Sequence, residues 1–600
     1  MAKAAPIQTS FTAGELSPRL EGRVDIAKYF SGLKALLNMK IHTHGGASRR
    51  GGTKHISNAK EGTKKCRLIP FQYSIEQAYI IEIGEGYLHF YKDEEKIGGG
   101  GFSSGFSSGF TGDSNVYEIV TTYTEAELFE IQYVQSADLL YIVHPSHPPA
   151  KLSRLTATTF KLEDVNITSN PFSVTNGYPS CVAFYESRLI YAGTIINPQT
   201  IWGSKTGDYD NFTQGSLDDD SYEYTINSDE VNVIRWLSAG KSLVIGTVGA
   251  EFLMSASSSD EAITPSNIKI VQQTEYGSAY MQPIRSSGIV LFVQRAARKI
   301  LQFVYEFESD SYVAPDLTLL SEHITSGGIV VMAHQKEPDP IIWSVRNDGT
   351  LLGMTFDRAQ EVIGWARHEV GGVSDVDGLI KAKVESIAVI PKDDRDQVWI
   401  SAKRWINGEE VRQIEVIEEG RDSFNAEDGD DFFIDSGVRY SGAKSSVIGG
   451  GAHLEGLTVS VLADGAVVPD TVVSNGSITL PKEYAKVNYG IKYMSELETM
   501  RLEAGSQNGT SQGKIKRISS VVIRFYQTLG AKIGPNRDNL DTIPFRSTND
   551  AMDSAPPRFS GDKTNDWDAG YETEGRIIIR QEQPLPMTVL AIMPRERTNG

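Results

Sequence analysis

The residues with the most obvious chemistry are the histidines. "HPSHPP" (144–149) sets His144 and His147 three positions apart, the spacing that would offer two imidazoles to a metal from one face of a helix. The surrounding prolines forbid that helix, so the stretch reads as a plain loop rather than a site built to supply ligands. His42 and His44 would share one face of a strand, with His55 further on, but no carboxylate or thiolate lies near them in sequence. The acid runs "LDDD" (217–220) and "EDGDD" (427–431) carry the oxygens a hard cation such as calcium prefers. Neither matches an EF-hand loop, and both read as solvated acidic loops. No metal, cofactor or catalytic residue is therefore assigned.

Catalytic signatures are absent too. The chain has no H-E-x-x-H, no P-loop and no G-x-G-x-x-G after a strand. An enzyme is not expected, although scattered loops can bring catalytic carboxylates together without a motif.

The elements around these residues follow from composition and pattern. The 600 residues exceed one ordinary core, so two or more domains are expected. Cys66 and Cys181 are the only cysteines, which excludes a disulfide framework and fits folding in a reducing cytoplasm. No apolar run reaches membrane-spanning length, and the start has no apolar segment of the secretory kind. Net charge is −19, unevenly spread. Residues 1–70 hold 13 Lys/Arg against 4 Asp/Glu, a net of +9, which leaves −28 on the rest. So acidic a body repels phosphate and argues against tight nucleic-acid binding.

A repeat organises most of the chain. An apolar strand recurs as "AYIIEI" (78–83), "LLYIV" (139–143), "LIYAG" (189–193), "LVIGT" (243–247), "IVLFV" (289–293), "IIWSV" (341–345) and "VWISA" (398–402). In several copies further strands flank it across short turns, which implies antiparallel meanders. Seven such units at about 50 residues each match the blade period of a β-propeller. Trp202, Trp343 and Trp399 then read as blade packing.

The expected fold is thus mostly all-β: a β-propeller of about six to eight blades over 61–425, with an N-terminal arm (1–60) and a C-terminal β-sandwich-like domain (435–600). The arm is expected to contain an amphipathic helix over 25–40, with Ile26, Phe30, Leu33 and Leu37 on one face and Asp25 as its N-cap. The Gly/Ser/Phe stretch "GGGGFSSGFSSGF" (98–110) reads as a flexible insertion at about 97–114.

Several segments resemble a known family. "FTAGELSPRLEGRVDIAKYFSGLKALLN" (11–38) and "HGGASRRGGTKHI" (44–56) look like the start of tailed-bacteriophage tail proteins called nozzle, tail tubular protein B-like or packaged-DNA stabilisation proteins. The resemblance continues in order through "LLYIVHPSHPPAKLSR" (139–154), "PQTIWGSKTGDYDNF" (198–212), "VNVIRWL" (231–237), "VAPDLTLLSEHIT" (313–325), "RNDGTLLGMTFDRAQEVIGWARHE" (346–369), "HLEGLTVSVLADG" (453–465) and "LPMTVLAIMP" (585–594). It implies a non-enzymatic virion protein, assembled in the bacterial host cytoplasm. A homohexameric ring in the virion tail would extend the channel below the portal and its head-to-tail adaptor. It would carry fibres or spikes outside, retain the packaged genome and conduct double-stranded DNA during ejection. On that reading Arg19, Arg23, Arg49 and Arg50 are expected to contact a neighbouring subunit or adjoining ring. Asp218, Asp219, Asp220, Asp428, Asp430 and Asp431 are candidates to line the lumen and repel passing DNA. The alternatives are a receptor- or glycan-binding propeller, possibly hydrolysing polysaccharide, and a cytoplasmic scaffold of non-viral origin.

Overall fold

A computed structural model describes residues 2–4, 6–98, 116–228, 230–258, 261–419, 430–503, 510, 512–550, 555–567 and 570–599. The Gly/Ser/Phe stretch (from Gly99 on) and Asp428 lie outside them. Among the described residues there is no α-helix, only short 3-10 turns among strands. Among them no helix is long and apolar enough to cross a membrane.

The chain divides into two compact units, one of residues 66–333 and 390–393, the other of 1–65, 334–389 and 394–600. The first-named unit is a run of five antiparallel meanders. Their second strands are Ala78–Gly84, Leu139–His144, Arg188–Ala192, Leu243–Thr247 and Ile289–Val293, the apolar runs picked out by the repeat. Strand alternation explains why these runs are mostly apolar on both faces, since each sheet is covered on both sides. Leu140 and Ile142 pack back onto Ile81, Leu88 and Phe90 of the first meander, while Tyr141 and Val143 face Leu189 and Tyr191 of the third. The third and fourth share a core of Ile190, Ile201, Leu243 and Ile245, and the fourth and fifth one of Trp236, Val244, Phe292 and Phe303. Sheets stacked face to face in chain order are propeller blades, and the chain is an all-β propeller protein.

A sixth meander follows with Ile341–Arg346, Leu351–Asp357 and Val362–His368, and a seventh with Arg395–Ile406 and Glu409–Ile417. Trp343 and Trp399 are buried in the second strands of these two, whereas Trp202 is buried in the third strand of its meander. The seventh is joined by an N-terminal strand, Thr53–Asn58, which pairs antiparallel with Glu409–Ile417 and touches Asp435–Ile448 on its other side.

The rest of that unit is sandwich-like. One sheet runs Met39–Ile41, Ala47–Arg49, Thr588–Asn599, Ile515–Thr528, Phe559–Asp566, and the facing sheet contains Gly32–Leu37, Ser495–Thr499, Ile578–Gln581 and Lys532–Asn536. Leu33, Leu36, Leu497 and Ile579 meet Ile41, Val521, Ile523 and Val589 between them.

The helix expected over 25–40 does not form. Ala27–Ser31 is a 3-10 turn, and Gly32–Leu37 is a strand between Gly14–Glu15 and Ser495–Thr499. Asp25 pairs with Arg23 and caps nothing. A short apolar run fits helix or buried strand equally well, and the pairing with the distant strand at 495–499 decides it. Gly32 fits because a Cβ there would sit 2.2 Å from Leu16 Cδ1. Residues 14–58 are therefore part of the sheets rather than an arm.

Candidate functional site

The basic cluster of the opening stretch is internal. Arg50 is fully buried and grips Asp435 with both terminal nitrogens, at 3.0 and 2.9 Å. Gly371 N–H donates to the same carboxylate at 2.7 Å, and the guanidinium lies 4.2 Å from the centre of the Tyr493 ring. Burial opposes the charge, but Asp435 and Tyr493 outweigh it and hold the Arg50 pKa above its ordinary value. Arg49, on the strand before, donates to the carbonyls of Gln583, Leu585 and Tyr493, and burial lowers its pKa. These two arginines cannot reach a neighbouring molecule, which corrects the expectation for them: their partners, Asp435, Tyr493, Gln583 and Leu585, come hundreds of residues later. Arg19 and Arg23 are exposed, Arg23 beside Asp25 at 2.8 Å.

The acidic candidates divide likewise. Asp218 and Asp219 are exposed. Their loop is fixed through its backbone, because Arg188 donates to the carbonyls of Asp218 and Asp220 at 2.7 and 2.6 Å. Asp220 is buried against Lys205 at 2.7 Å and accepts the Leu217 N–H, so it does not line an open surface. Asp430 is exposed beside Lys486, and Asp431 is buried against Arg558 at 2.6 Å. Asp220 and Asp431 are thus corrected to internal ion pairs, for the same reason as the arginines.

The histidines read as a loop form a cluster. His144 ends one strand of the second meander and His147 starts the next, paired across a two-residue turn. The prolines do exclude a helix, yet a hairpin puts paired residues on one face just as well, and the ring centres lie 5.2 Å apart. Glu127 reaches the same place from a 3-10 turn, Glu125–Glu127. A capping box fixes it: Thr124 donates its N–H and hydroxyl to the Glu127 carboxylate at 2.9 and 2.8 Å. Glu127 Oε2 stands 3.2 Å from His147 Nε2, and Glu130 Oε2 stands 3.4 Å from His144 Nε2. Burial would raise the Glu127 pKa, but the Thr124 bonds and His147 pull it down to about 2, so the group is a carboxylate. The only sequence trace of Glu127 was its T-x-x-E capping box, 17 residues before His144.

His42 also gains a partner invisible in local sequence, Asp339 at 3.4 Å, with Ser48 on its other nitrogen at 2.7 Å. His55 stacks on His453 with ring centres 3.6 Å apart. A cavity of about 250 Å³ lies by the third meander, lined by Trp202, Phe212, Gln214, Ser221 and Glu223 among others.

No family model matches the chain, and no curated protein does. Among solved structures, the WD40 domain of Neurospora crassa Pan2 is similar over 62% of this chain and 96% of its own, at 8% identity and a TM-score of 0.34. A luciferin-regenerating enzyme is similar over 48% of this chain and 90% of its own, at 12% identity and a TM-score of 0.29. At these scores nothing about activity or partners passes from either to this chain.

Proposed function

We propose that this chain is a structural, non-enzymatic subunit of a bacteriophage tail, a nozzle protein whose copies close into a ring on the tail axis. The ring, a hexamer on this reading, joins the head-to-tail adaptor, carries fibres or spikes and passes double-stranded DNA. The support is the ordered resemblance, together with one observation. The stretch that opens the resemblance, residues 11–56, is built into three sheets, with Arg49 and Arg50 consumed in internal bonds. Its residues serve construction, as a scaffold requires. The exposed Asp218, Asp219 and Asp430 remain the groups that would repel phosphate along a channel.

Imaging the purified protein, and virions carrying it, tests the reading: closed rings on the tail axis are expected. A protein that stays monomeric at all concentrations and is missing from tails overturns it. The cavity beside Trp202 favours a second reading, recognition of a host glycan, because an aromatic wall with Gln214 and Glu223 suits a sugar ring. Binding of host polysaccharide by isolated monomers would favour it over the nozzle.

A further inference from the structure

We propose that Glu127, His144 and His147 form a binding site for a divalent transition-metal ion of the zinc class, which would fasten the 3-10 turn at 125–127 to the hairpin of the second blade. Each of the three offers one ligand atom, and these atoms all lie within 4.8 Å of one another. Two ligands bound at about 2.0–2.1 Å to a tetrahedral ion stand about 3.3 Å apart. His147 Nε2 and Glu127 Oε2 already stand at 3.2 Å.

A second observation is independent of that spacing. The Nε2 atoms of both histidines are buried and make no hydrogen bond among the described residues, and the His144 side chain is 1% exposed. Buried polar atoms are ordinarily satisfied, and an ion would satisfy both. The supporting contacts also fit. Thr122 Oγ1 lies 3.2 Å from His147 Nδ1 and can accept its N–H, which leaves the Nε2 lone pair for the ion.

His144 is bound differently. Its Nδ1 accepts the Ser146 N–H at 3.1 Å, so the neutral, ion-free ring holds its proton on Nε2, toward Glu130. Ligation moves that proton to Nδ1 and turns the Ser146 N–H aside. His147 and Glu127 are therefore the preset pair, and His144 joins by exchanging one hydrogen bond for a metal bond. Two imidazoles and a carboxylate, with no thiolate, select zinc, cobalt or nickel over magnesium and calcium.

The test uses the full chain stripped with chelator and titrated with Co²⁺, followed by displacement with Zn²⁺. One Co²⁺ per chain with the visible bands of a tetrahedral site is expected, and Zn²⁺ should bleach them. Glu127→Gln keeps an acceptor for Thr124 and should hold the turn while weakening Co²⁺ binding at least about tenfold. His147→Gln should do the same, and His44→Gln should change nothing. Absence of stoichiometric binding overturns the proposal. So does binding by both Glu127→Gln and His147→Gln with wild-type affinity, since the ion would then sit elsewhere.

Discussion

Arg50 and Asp435 are 385 positions apart in the chain, yet they meet as a two-pronged ion pair with both side chains sealed from water. The pair ties the end of the opening stretch to the strand Asp435–Ile448. Removing one partner leaves the other charge buried alone. Asp435→Ala is expected to cost about 3–5 kcal/mol, read as a lowered urea midpoint. Arg50→Lys should also be costly, because an ammonium cannot span both carboxylate oxygens. A loss below about 1 kcal/mol for Asp435→Ala would mean that water reaches the pair.

Deleting residues 1–50 separates an arm from a built-in element. A flexible arm could go and leave a folded protein that fails to assemble. The strands at 14–15, 32–37, 39–41 and 47–49 would go with it, along with buried Phe11, Leu33, Leu36, Met39 and Ile41. Each such side chain is worth about 1.5–3 kcal/mol, and together they match the net stability of an ordinary domain, about 5–15 kcal/mol. The truncated chain should therefore lose near-ultraviolet circular dichroism and become protease-sensitive across 430–600. A soluble truncated protein with the full-length spectrum would contradict this packing.

Gly14, and Gly52 just past this stretch, are held by contact. At Gly14, with φ of +65°, a Cβ would lie 2.3 Å from the Trp365 nitrogen, and at Gly52 it would lie 1.9 Å from the Ile434 oxygen. Backbone cannot yield as a side chain can, so Gly14→Ala and Gly52→Ala should each cost at least about 2 kcal/mol. Gly408→Ala, which meets no atom within 4 Å, should cost less despite its φ of +83°. Equal midpoints for all three variants would remove the steric argument.

The stacked His55 and His453 give a pH dependence with a definite sign. Burial lowers both pKa values, to about 4 and about 3, with Arg404 acting in the same direction on each; Asn58 for His55, and Ser436 O and Glu415 for His453, oppose it. An unfolded histidine titrates near 6.5. Below that pH the unfolded chain binds protons that the folded one refuses, so this contribution is full above pH 6.5 and is lost as pH falls toward 4. Its slope is at most about 1.4 kcal/mol per pH unit for each ring. His453→Gln should flatten the stability profile between pH 6.5 and 4. An unchanged slope would show that the His453 ring does not stay neutral in the fold.

How far the sequence reveals the molecule depends on how local each interaction is. The central blade strands were legible because a sheet covered on both faces needs an unbroken β-branched and aromatic run, as in "IVLFV". Leu33 and Leu37 misled because their spacing suits a helix, and the strand that claims them comes more than 450 residues later. Arg49 and Arg50 looked like a surface patch for the same reason, their acceptors being Asp435, Tyr493 and Leu585. His144 and His147 were visible as a pair, while the carboxylate that completes them hung on a capping box.

With Arg49 and Arg50 internal, the assembly contact proposed for four arginines would fall to Arg19 and Arg23. They flank Leu20–Gly22 at the exposed end of a 3-10 turn, where Ser17 Oγ accepts the Arg19 N–H. Arg23 is held by Asp25 through two bonds of 2.8 Å, an exposed pair that adds little to folding and is screened by salt. The double variant Arg19→Glu/Arg23→Glu should leave the urea midpoint of the monomer unchanged. If these cations meet an acidic neighbour, the variant should form fewer rings by size-exclusion chromatography and electron microscopy, with the largest deficit at low salt. Normal ring formation by a variant of unchanged stability would free both arginines of any part in assembly, and the acidic copies would have to associate through apolar surface instead.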